Sequence, residues 1–335
     1  MVKVIVRLLL ALFAFELVGI SLGSLGIEPT GYKFYWNAEP FDTRMPYADI
    51  DPLVGVWHQP NDSWVQRGAC FSAMGYSNKW GAGDNNWDTS QSGYAFAGSS
   101  FVEGFGVNYG ERFSEHFEKL SGKEVFNLGM SGTFSPVQYF MALKKFESTL
   151  KFDTCFVFLL VPGDEVLLSE IDKDRYRPYW RNDSIVYQKN TDFKAKKSFI
   201  ITLKQIVLQY SYLNHLLEYF QNRNTMKAAL LVAKDNDSKI TETPTPYLRD
   251  INKLFCEGFP DKFFYFVVLP TMSSGKNDPE FSFNKQYQNS TLFDMRNAVV
   301  NRSNFFICNP HLNKQGNRVF AEQLFYLLKT SNRNI

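Results

Sequence analysis

A hydroxyl and an imidazole, far apart in the chain, stand in settings that suit catalysis. Ser100 follows a short apolar run that breaks at Gly98, and Gly104 and Gly106 come soon after it. A serine between a strand and a helix gains from exposed backbone N–H groups and from the helix dipole, although the same stretch could be a serine-rich turn. His311 lies near the other end. A neutral imidazole is a suitable base near neutral pH, so the two side chains could carry nucleophilic chemistry if the fold brings them together.

Apolar runs without polar alternation predict strands that are buried on both faces, as in a parallel sheet. Such runs, or shorter apolar stretches, occupy residues 94–97, 125–128, 154–161, 263–269 and 305–308. Helical patterns alternate with them at residues 109–120, 135–150, 198–220 and 314–329. Alternating strands and helices predict an α/β fold: a doubly wound, mostly parallel sheet with helices on both faces.

The predicted sheet should gather several polar segments at one edge. In a doubly wound sheet, sites form outside the carboxyl ends of the strands. The segments that leave those ends are residues 98–100, 129–132, 163–165 and 309–311. Together they supply a hydroxyl, glycine N–H groups, a polar side chain and an imidazole, which is the inventory for acyl transfer through a covalent serine ester.

Four blocks in a fixed order also carry a resemblance. They are Gly-Ser-Ser-Phe-Val-Glu-Gly-Phe-Gly-Val at 98–107, Asn-Leu-Gly-Met-Ser-Gly at 127–132, Phe-Val-Phe-Leu-Leu-Val-Pro-Gly-Asp-Glu at 156–165 and Asn-Pro-His-Leu-Asn-Lys-Gln-Gly at 309–316. With these blocks the chain resembles the SGNH (GDSL-type) hydrolase superfamily, specifically its membrane-anchored bacterial members of the cell envelope. The resemblance spans about residues 51–328 and implies a flavodoxin-like SGNH fold.

The resemblance also implies roles for individual residues. Ser100 would be the nucleophile, and its backbone N–H would donate to the oxyanion together with that of Gly132. His311 would take the serine proton and return it to the leaving group. The family's third oxyanion donor is an asparagine, and Asp164 stands in its place. An ionised carboxylate cannot donate, so Asp164 could serve only if protonated.

The site is degenerate in a second respect. The family's orienting carboxylate precedes the histidine by two or three residues, and Asn309 and Cys308 occupy these positions. Neither is charged, which leaves them as possible orienting residues beside a dyad of Ser100 and His311, with Glu165 as a weak candidate for another carboxylate. The aspartate of the family's Gly-Asp-Ser is Ser99 here.

These features leave two functions open. The first is a serine esterase or O-acyltransferase that acts on an acylated cell-envelope glycan, or on a small ester, through an acyl-serine intermediate. The alternative is a catalytically inactive SGNH-like protein that binds polysaccharide or an envelope partner. Neither the acyl group, nor the choice between water and a sugar hydroxyl as acceptor, nor the oligomeric state follows from the sequence.

The first residues predict a membrane segment. Lys3 and Arg7 precede an apolar stretch at residues 8–25, close to the ~20 residues that span a bilayer. Residues 1–26 are therefore either a signal anchor or a signal peptide cut near residues 23–26, and Glu16 is costly in a permanent span. The basic N-terminal side places the domain outside the cytoplasm, in the periplasm, either anchored or exported after cleavage.

The remaining chain divides into a lead-in at residues 27–93 that packs on the domain, and the domain itself at residues 94–335. A charged and aromatic insertion is expected at about 171–197, with Arg175 and Arg177 in an exposed loop or, less favoured, in contact with an anionic glycan.

Composition limits the partners. The formal net charge of +2 gives no case for a nucleic-acid partner. The 4 cysteines form no CxxC pair, so a zinc site is not expected, and an exported domain could oxidise two of them without the sequence saying which. A metal site from Asp164, Glu165 and His311 lacks ligand spacing, and no cofactor is predicted.

Overall fold

A computed structural model describes residues 2–25, 48–68, 70–131, 134–160, 176–181, 183–187, 211–235, 246–271, 287–298 and 301–331 of the chain. Its elements run in the order α1 (Val2–Ser24), β1 (Ala48–Asp51), β2 (Gly55–His58), β3 (Ser63–Gly68), β4 (Phe71–Tyr76), β5 (Ser92–Gly98), α2 (Ser100–Glu103), α3 (Phe113–Ser121), β6 (Glu124–Gly129), α4 (Pro136–Phe146), β7 (Lys151–Leu159), β8 (Pro178–Arg181), β9 (Ser184–Tyr187), α5 (Tyr212–Asp235), α6 (Pro246–Gly258), β10 (Phe263–Val268), β11 (Ser290–Asp294) and α7 (Lys314–Thr330).

The central sheet has the order β11-β10-β7-β5-β6, and every neighbouring pair in it is parallel. β5 and β6 are the first two of these strands in the chain, yet the chain continues on the other side of β5, at β7. This reversal is the switch point of a flavodoxin-like order, where a doubly wound sheet opens a crevice. The predicted α/β class, with a doubly wound parallel sheet, is therefore confirmed.

Both faces of the sheet are covered by helices. In β5 and β7, Phe96 and Phe156 point to one face, where they pack with residues of α3 and α7. Ala95 and Val157 point to the other face, where they pack with residues of α4 and α6. Strands buried on both sides in this way explain why their sequences show apolar runs instead of alternation.

The edge of the sheet differs from the sequence prediction. Residues 305–308 form no strand, and Phe305 makes only an isolated bridge with Leu312. The fifth strand is instead β11, which pairs with β10 from Ser290 to Asp294. The prediction was wrong because β11 is a half-exposed edge strand with polar ends, whereas residues 305–308 owe their apolar character to a packed loop.

Helix α4 shows why some local predictions were accurate. Pro136 occupies the first turn, where its missing N–H costs nothing. The Gln138 side chain reaches back and accepts a hydrogen bond from the Ser135 N–H at 3.2 Å. The helix predicted at 198–220 begins, in the described part, only at Tyr212 and continues to Asp235, while residues 198–210 lie outside the described residues.

The described part of the lead-in consists of two antiparallel hairpins, β1–β2 and β3–β4. Trp57 of β2 is buried in the same cluster as the α4 face of the sheet, and Gln138 donates to the Val54 carbonyl oxygen at 2.9 Å. These contacts tie the hairpins to the domain.

The described part of the predicted insertion forms the β8–β9 hairpin. Tyr176 and Tyr187 donate hydrogen bonds from their hydroxyls to the carbonyl oxygens of Pro52 and Leu53, at 2.9 and 2.7 Å. Arg177 is buried and donates to the Tyr179 hydroxyl at 3.2 Å, so the expectation of an exposed Arg177 was wrong. Arg175 lies outside the described residues.

Helix α1 covers 23 residues and, by length and composition, could cross a membrane; within the described ranges it is the one helix of that kind. It is therefore a candidate membrane anchor or signal sequence. Its C-terminal half contacts α5, and its N-terminal half is exposed.

Candidate active site

Ser100 and His311 meet at the carboxyl end of the sheet. Ser100 is the first residue of α2, directly after β5, and His311 lies in the loop before α7. The Ser100 hydroxyl oxygen is 2.7 Å from Nε2 of His311, although 211 positions separate the two residues in the chain. The fold thus brings the Ser100 hydroxyl and the His311 imidazole within hydrogen-bond distance of each other.

Asn309 contacts the other side of the imidazole. Its Oδ1 lies 2.5 Å from Nδ1 of His311 and also accepts a hydrogen bond from the His311 backbone N–H at 3.1 Å. Because a backbone N–H can only donate, this second bond fixes the amide with its oxygen toward the histidine. Nδ1 must then carry the proton, which leaves the lone pair on Nε2 for the Ser100 hydroxyl. A hydroxyl, an imidazole and an amide oxygen form one continuous chain of hydrogen bonds.

Aromatic rings enclose the imidazole. Phe101 stacks on His311 with ring centroids 4.7 Å apart, and Phe105 lies against it at 4.8 Å. Burial lowers the pKa of His311 to about 4, and the negative charge of Glu103 opposes this shift. Since the charged form is disfavoured in this setting, His311 is a neutral base at neutral pH.

A disulfide fixes the loop that carries His311. Cys308 is bonded to Cys70, just before β4, with Cα atoms 5.9 Å apart and 238 positions between them in sequence. Cys308 therefore has no thiol to orient the histidine, and of the two positions considered only Asn309 contacts the ring. Phe71, next to Cys70, packs on Phe306 at 4.7 Å and on Phe105 at 5.3 Å.

The loop also has its own hydrogen bonds. Phe306 donates from its backbone N–H to the His311 carbonyl oxygen at 3.0 Å, closing a narrow turn. The Asn313 side chain donates to the Phe305 carbonyl oxygen at 3.0 Å and accepts from the Gly316 N–H at 3.0 Å as the cap of α7. The turn and the cap place His311 three residues before the start of α7 at Lys314.

Some predicted oxyanion donors lie outside the described residues. Gly132 is among residues 132–133, and Asp164 and Glu165 are among residues 161–175, which the structure does not describe. The Ser100 backbone N–H belongs to the first turn of α2, where N–H groups have no partner within the helix.

The segment that leads to Gly132 does reach the site. The Met130 N–H donates to the Gly98 carbonyl oxygen at 3.2 Å. A Cβ at Gly129 would lie 2.2 Å from the Glu103 backbone nitrogen, so only glycine allows the end of β6 to approach α2 this closely.

Glu103 was missed by the sequence reasoning, which quoted it within a motif and gave it no role. It lies one turn after Ser100 on α2, and its Oε1 is 3.1 Å from Nε2 of His58, with both side chains buried. His58 in turn stacks on Trp64 at 4.2 Å. Within the described chain, the second carboxylate oxygen of Glu103 has no hydrogen-bond partner. A charged residue inside an otherwise apolar turn was the available signal, but its partner comes from β2.

A buried polar network supports α2 from behind. Arg112 lies 3.1 Å from Glu115 and 3.6 Å from Asp84, and it donates to the carbonyl oxygen of Glu103 at 3.3 Å. Asn127 donates to the Val102 carbonyl oxygen at 2.7 Å. Burial, reinforced by the nearby Glu115, raises the pKa of Asp84 above its ordinary value. These bonds hold the serine-bearing turn against the ends of β5 and β6.

Metal-ligating and thiol groups elsewhere in the fold offer little further chemistry. Among the residues that the structure describes, no group of three or more His, Cys, Asp and Glu side chains could hold a metal ion. Cys155 and Cys256 are buried free thiols, and burial raises the pKa of both. They are therefore poor candidates for nucleophiles.

Comparisons with known proteins find only distant similarity. No protein-family model matches the chain, and no curated protein matches it. One similar solved structure comes from Desulfitobacterium hafniense DCB-2 and is described as a lipolytic protein of the G-D-S-L family; it is 11% identical, the match covers 71% of this chain and 99% of that one, and the TM-score is 0.32. A second solved structure is 12% identical, with 74% and 100% of the two chains covered and a TM-score of 0.35. Because identities and TM-scores are this low, the two structures support no conclusion about the site, whose description depends on the contacts given above.

Proposed function

We propose that this protein is a serine esterase or O-acyltransferase that works through an acyl-Ser100 intermediate. The observation that carries the proposal is the chain of contacts from the Ser100 hydroxyl to Nε2 of His311 at 2.7 Å, and from Nδ1 to Asn309 at 2.5 Å. A nucleophile, a base and a group that orients the base, all within hydrogen-bond reach, are the parts that covalent catalysis needs.

The expected reaction has two steps. The Ser100 oxygen attacks the carbonyl carbon of the ester while Nε2 of His311 takes its proton, and the oxyanion forms near the Ser100 backbone N–H. His311 then protonates the departing alcohol, leaving the acyl group on Ser100. In the second step water or a sugar hydroxyl gives its proton to His311, attacks the acyl carbon and restores the serine. Gly132 remains the proposed second oxyanion donor.

Asn309 can orient the histidine without supplying charge. Where asparagine replaces a triad aspartate in a serine protease, the rate falls ~10⁴-fold because the wrong tautomer is favoured. In this protein the His311 N–H holds the amide oxygen toward the ring, so the productive tautomer is kept. The loss should be limited to the missing negative charge, and Glu103 supplies part of that charge from the side of α2.

For the substrate, we propose an acylated glycan of the cell envelope. Membrane attachment and export would bring the domain to such glycans, and the Cys70–Cys308 disulfide fits an oxidising compartment such as the periplasm. The N-terminal helix, with Lys3 and Arg7 on its first turns, would keep its N-terminus in the cytoplasm.

The test is hydrolysis of a small acetyl ester by the full-length protein in detergent, together with labelling by a fluorophosphonate. The wild type should hydrolyse the ester and be labelled, and Ser100→Ala should lose both. Ser99→Ala is the matched control, because Ser99 is the adjacent buried hydroxyl and should leave labelling intact. Equal hydrolysis by wild type and Ser100→Ala would reject the proposal.

A second function, binding of polysaccharide or an envelope partner without catalysis, is favoured by one observation. Nδ1 of His311 contacts the Oδ1 of the Asn309 amide, and within the described ranges of the chain no carboxylate takes that position. That function predicts no fluorophosphonate on Ser100 but binding of acylated glycan. Labelling of Ser100 would exclude it.

A further inference from the structure

Helix α1 carries one carboxylate in its apolar sequence, and α5 supplies the donors for it. Glu16 accepts hydrogen bonds from the Ser211 hydroxyl at 2.8 Å and from the backbone N–H groups of Tyr212 and Leu213 at 2.6 and 3.2 Å. The first N–H groups of a helix lack partners within the helix and favour a negative charge. The cost of placing Glu16 in an apolar span is thus offset by a contact within the chain.

Close packing accompanies these hydrogen bonds. A Cβ at Gly19 would lie 2.1 Å from the Tyr212 ring, so the two helices touch where α1 has no side chain. The rings of Phe15 and Tyr212 lie 5.6 Å apart. Gly23, one turn further along α1, is buried as well. Small residues four apart allow helices in a membrane to approach closely.

The pattern of exposure limits the course of α5. Leu12 and Phe15 of α1 are 48% and 41% exposed, so α5 does not run back along the N-terminal half of α1. The contacts described above join the start of α5, at Tyr212 and Leu213, to Glu16 and Gly19 of α1. Helix α5 therefore starts beside Glu16 and does not return along the first half of α1.

Depth follows from this geometry. If residues 8–25 span the bilayer, Glu16 lies near its middle, and so do its donors at the start of α5. At 1.5 Å per residue, Phe220 lies at most about 12 Å from the level of Tyr212, which is less than half of a hydrocarbon core about 30 Å thick. On the first turns Leu217 and Phe220 are 54% and 55% exposed.

We propose that the apolar face of the first turns of α5 lies inside the bilayer beside α1, with Leu217 and Phe220 in contact with lipid acyl chains. The exposed Glu218 lies on another face of the helix, where its carboxylate accepts a hydrogen bond from the Asn214 side chain at 3.0 Å. Glu16 joins the two helices at mid-depth. The occupant of this apolar face is the phospholipid bilayer, because the face continues the exposed apolar surface of α1. It follows that α1 is retained as part of the folded protein and is not removed as a signal peptide. None of this depends on the proposed esterase activity.

The test measures lipid contact in the full-length protein, reconstituted into vesicles of phosphatidylcholine and phosphatidylglycerol. Leu217→Cys and Phe220→Cys are labelled with an environment-sensitive fluorophore; Cys155 and Cys256 are buried and the other two cysteines are bonded, so the label goes to the introduced thiol. Lipids with a nitroxide on the acyl chain should quench both labels. Tyr326→Cys, at a 62% exposed position on α7, is the matched control and should keep its emission. Quenching at 217 and 220 no stronger than at 326 would overturn the proposal.

A second variant tests the role of Glu16. Glu16→Leu keeps α1 apolar and in the vesicle, so flotation with lipid should persist, but the label at position 217 should lose its quenching. Ser21→Ala is the control, since the Ser21 hydroxyl, as far as the described part of the chain goes, donates to the Leu17 carbonyl oxygen of its own helix and to no residue of α5. Unchanged quenching in Glu16→Leu would contradict the role of Glu16 in holding α5 beside α1. An intact mass of the cellular protein that lacks the residues before 24 would contradict retention of α1.

Discussion

The two halves of the candidate site are held in place by different physics. Ser100 begins α2 at the end of the central strand β5, and buried charged groups, Glu103 and Arg112 among them, brace that turn. His311 lies in a loop in which, among the residues that the structure describes, no buried charged group contacts its ring. That half is held by uncharged contacts: the Asn309 amide, two phenylalanine rings and the Cys70–Cys308 bond.

The difference leads us to expect that the two halves form at different stages. The serine half should form with the sheet, because the groups that brace it are enclosed by the folded core. The histidine half should need the disulfide in addition, since a single isolated bridge and a few hydrogen bonds are weak constraints on a loop. Folding of the core and assembly of the site should therefore be separable.

The largest effect is expected from removal of the disulfide. In the Cys70→Ala/Cys308→Ala double variant the His311 loop loses its covalent tie to β4, and hydrolysis should fall by at least ~10²-fold, as expected when a base is misplaced by about 1 Å. Unfolding free energy should fall by about 2–5 kcal/mol. Ester hydrolysis and thermal melts followed by circular dichroism measure the two effects.

The control for this variant is Cys155→Ala, which alters a buried thiol away from the loop. It should retain activity, and we expect a reductant to inactivate it and the wild type alike. If the double variant kept full activity with an unchanged melting temperature, the His311 loop would keep its position without the disulfide. The proposed difference between the two halves would then be wrong.

A negative charge placed beside the His311 imidazole should raise activity. Asn309→Asp keeps an oxygen for both the His311 N–H and Nδ1 and adds a carboxylate to the imidazole. The added charge should raise the pKa of His311 and increase kcat/KM by about 10–100-fold, less than the ~10⁴ seen where asparagine also spoils the tautomer. Asn313→Asp is the control, since Asn313 caps α7 and does not contact the ring. A slower Asn309→Asp enzyme would show that the neutral amide is required.

Removal of charge from the serine half should have a smaller effect. Glu103→Gln retains an oxygen for His58 but removes the charge that raises the pKa of His311. Loss of that negative charge should disfavour the imidazolium that forms during the reaction, so kcat/KM should fall, by about tenfold or less. Glu111→Gln, which removes a surface ion pair with Lys314, should change neither activity nor stability by much. Equal activity in Glu103→Gln and wild type would mean that Glu103 serves only the fold.

The two halves also differ in how far the sequence predicts them. β5 and β7 could be predicted because strands buried on both faces leave apolar runs without polar alternation, and Asn309 could be named because it lies two residues from His311. β11 could not, because this edge strand is half-exposed and has polar ends, whereas the opposite edge strand, β6, is buried and mainly apolar. The Cys70–Cys308 bond joins residues whose proximity depends on the whole tertiary fold.

Charged pairs are hidden from the sequence for the same reason. Glu103 and His58 are 45 positions apart, and each alone resembles a solvated side chain. Only the packing of β2 beside α2 buries both. Helix caps and buried strands can thus be predicted from a single sequence. Pairs of residues that are distant in sequence can be identified only once the fold is known.

The smallest and sharpest test is the pH profile. The folded pKa of His311 is about 4, below the ordinary 6.5, because burial disfavours the imidazolium. The base form therefore persists down to about pH 4, and kcat/KM should fall only as the pH drops through that value; in Asn309→Asp the midpoint should move upward. Since the unfolded chain binds this proton below about 6.5, His311 also lowers stability progressively as the pH falls from 6.5 to 4. A midpoint near pH 6.5 in the wild-type profile would show that water reaches the imidazole of His311 and that Phe101 and Phe105 do not shield it.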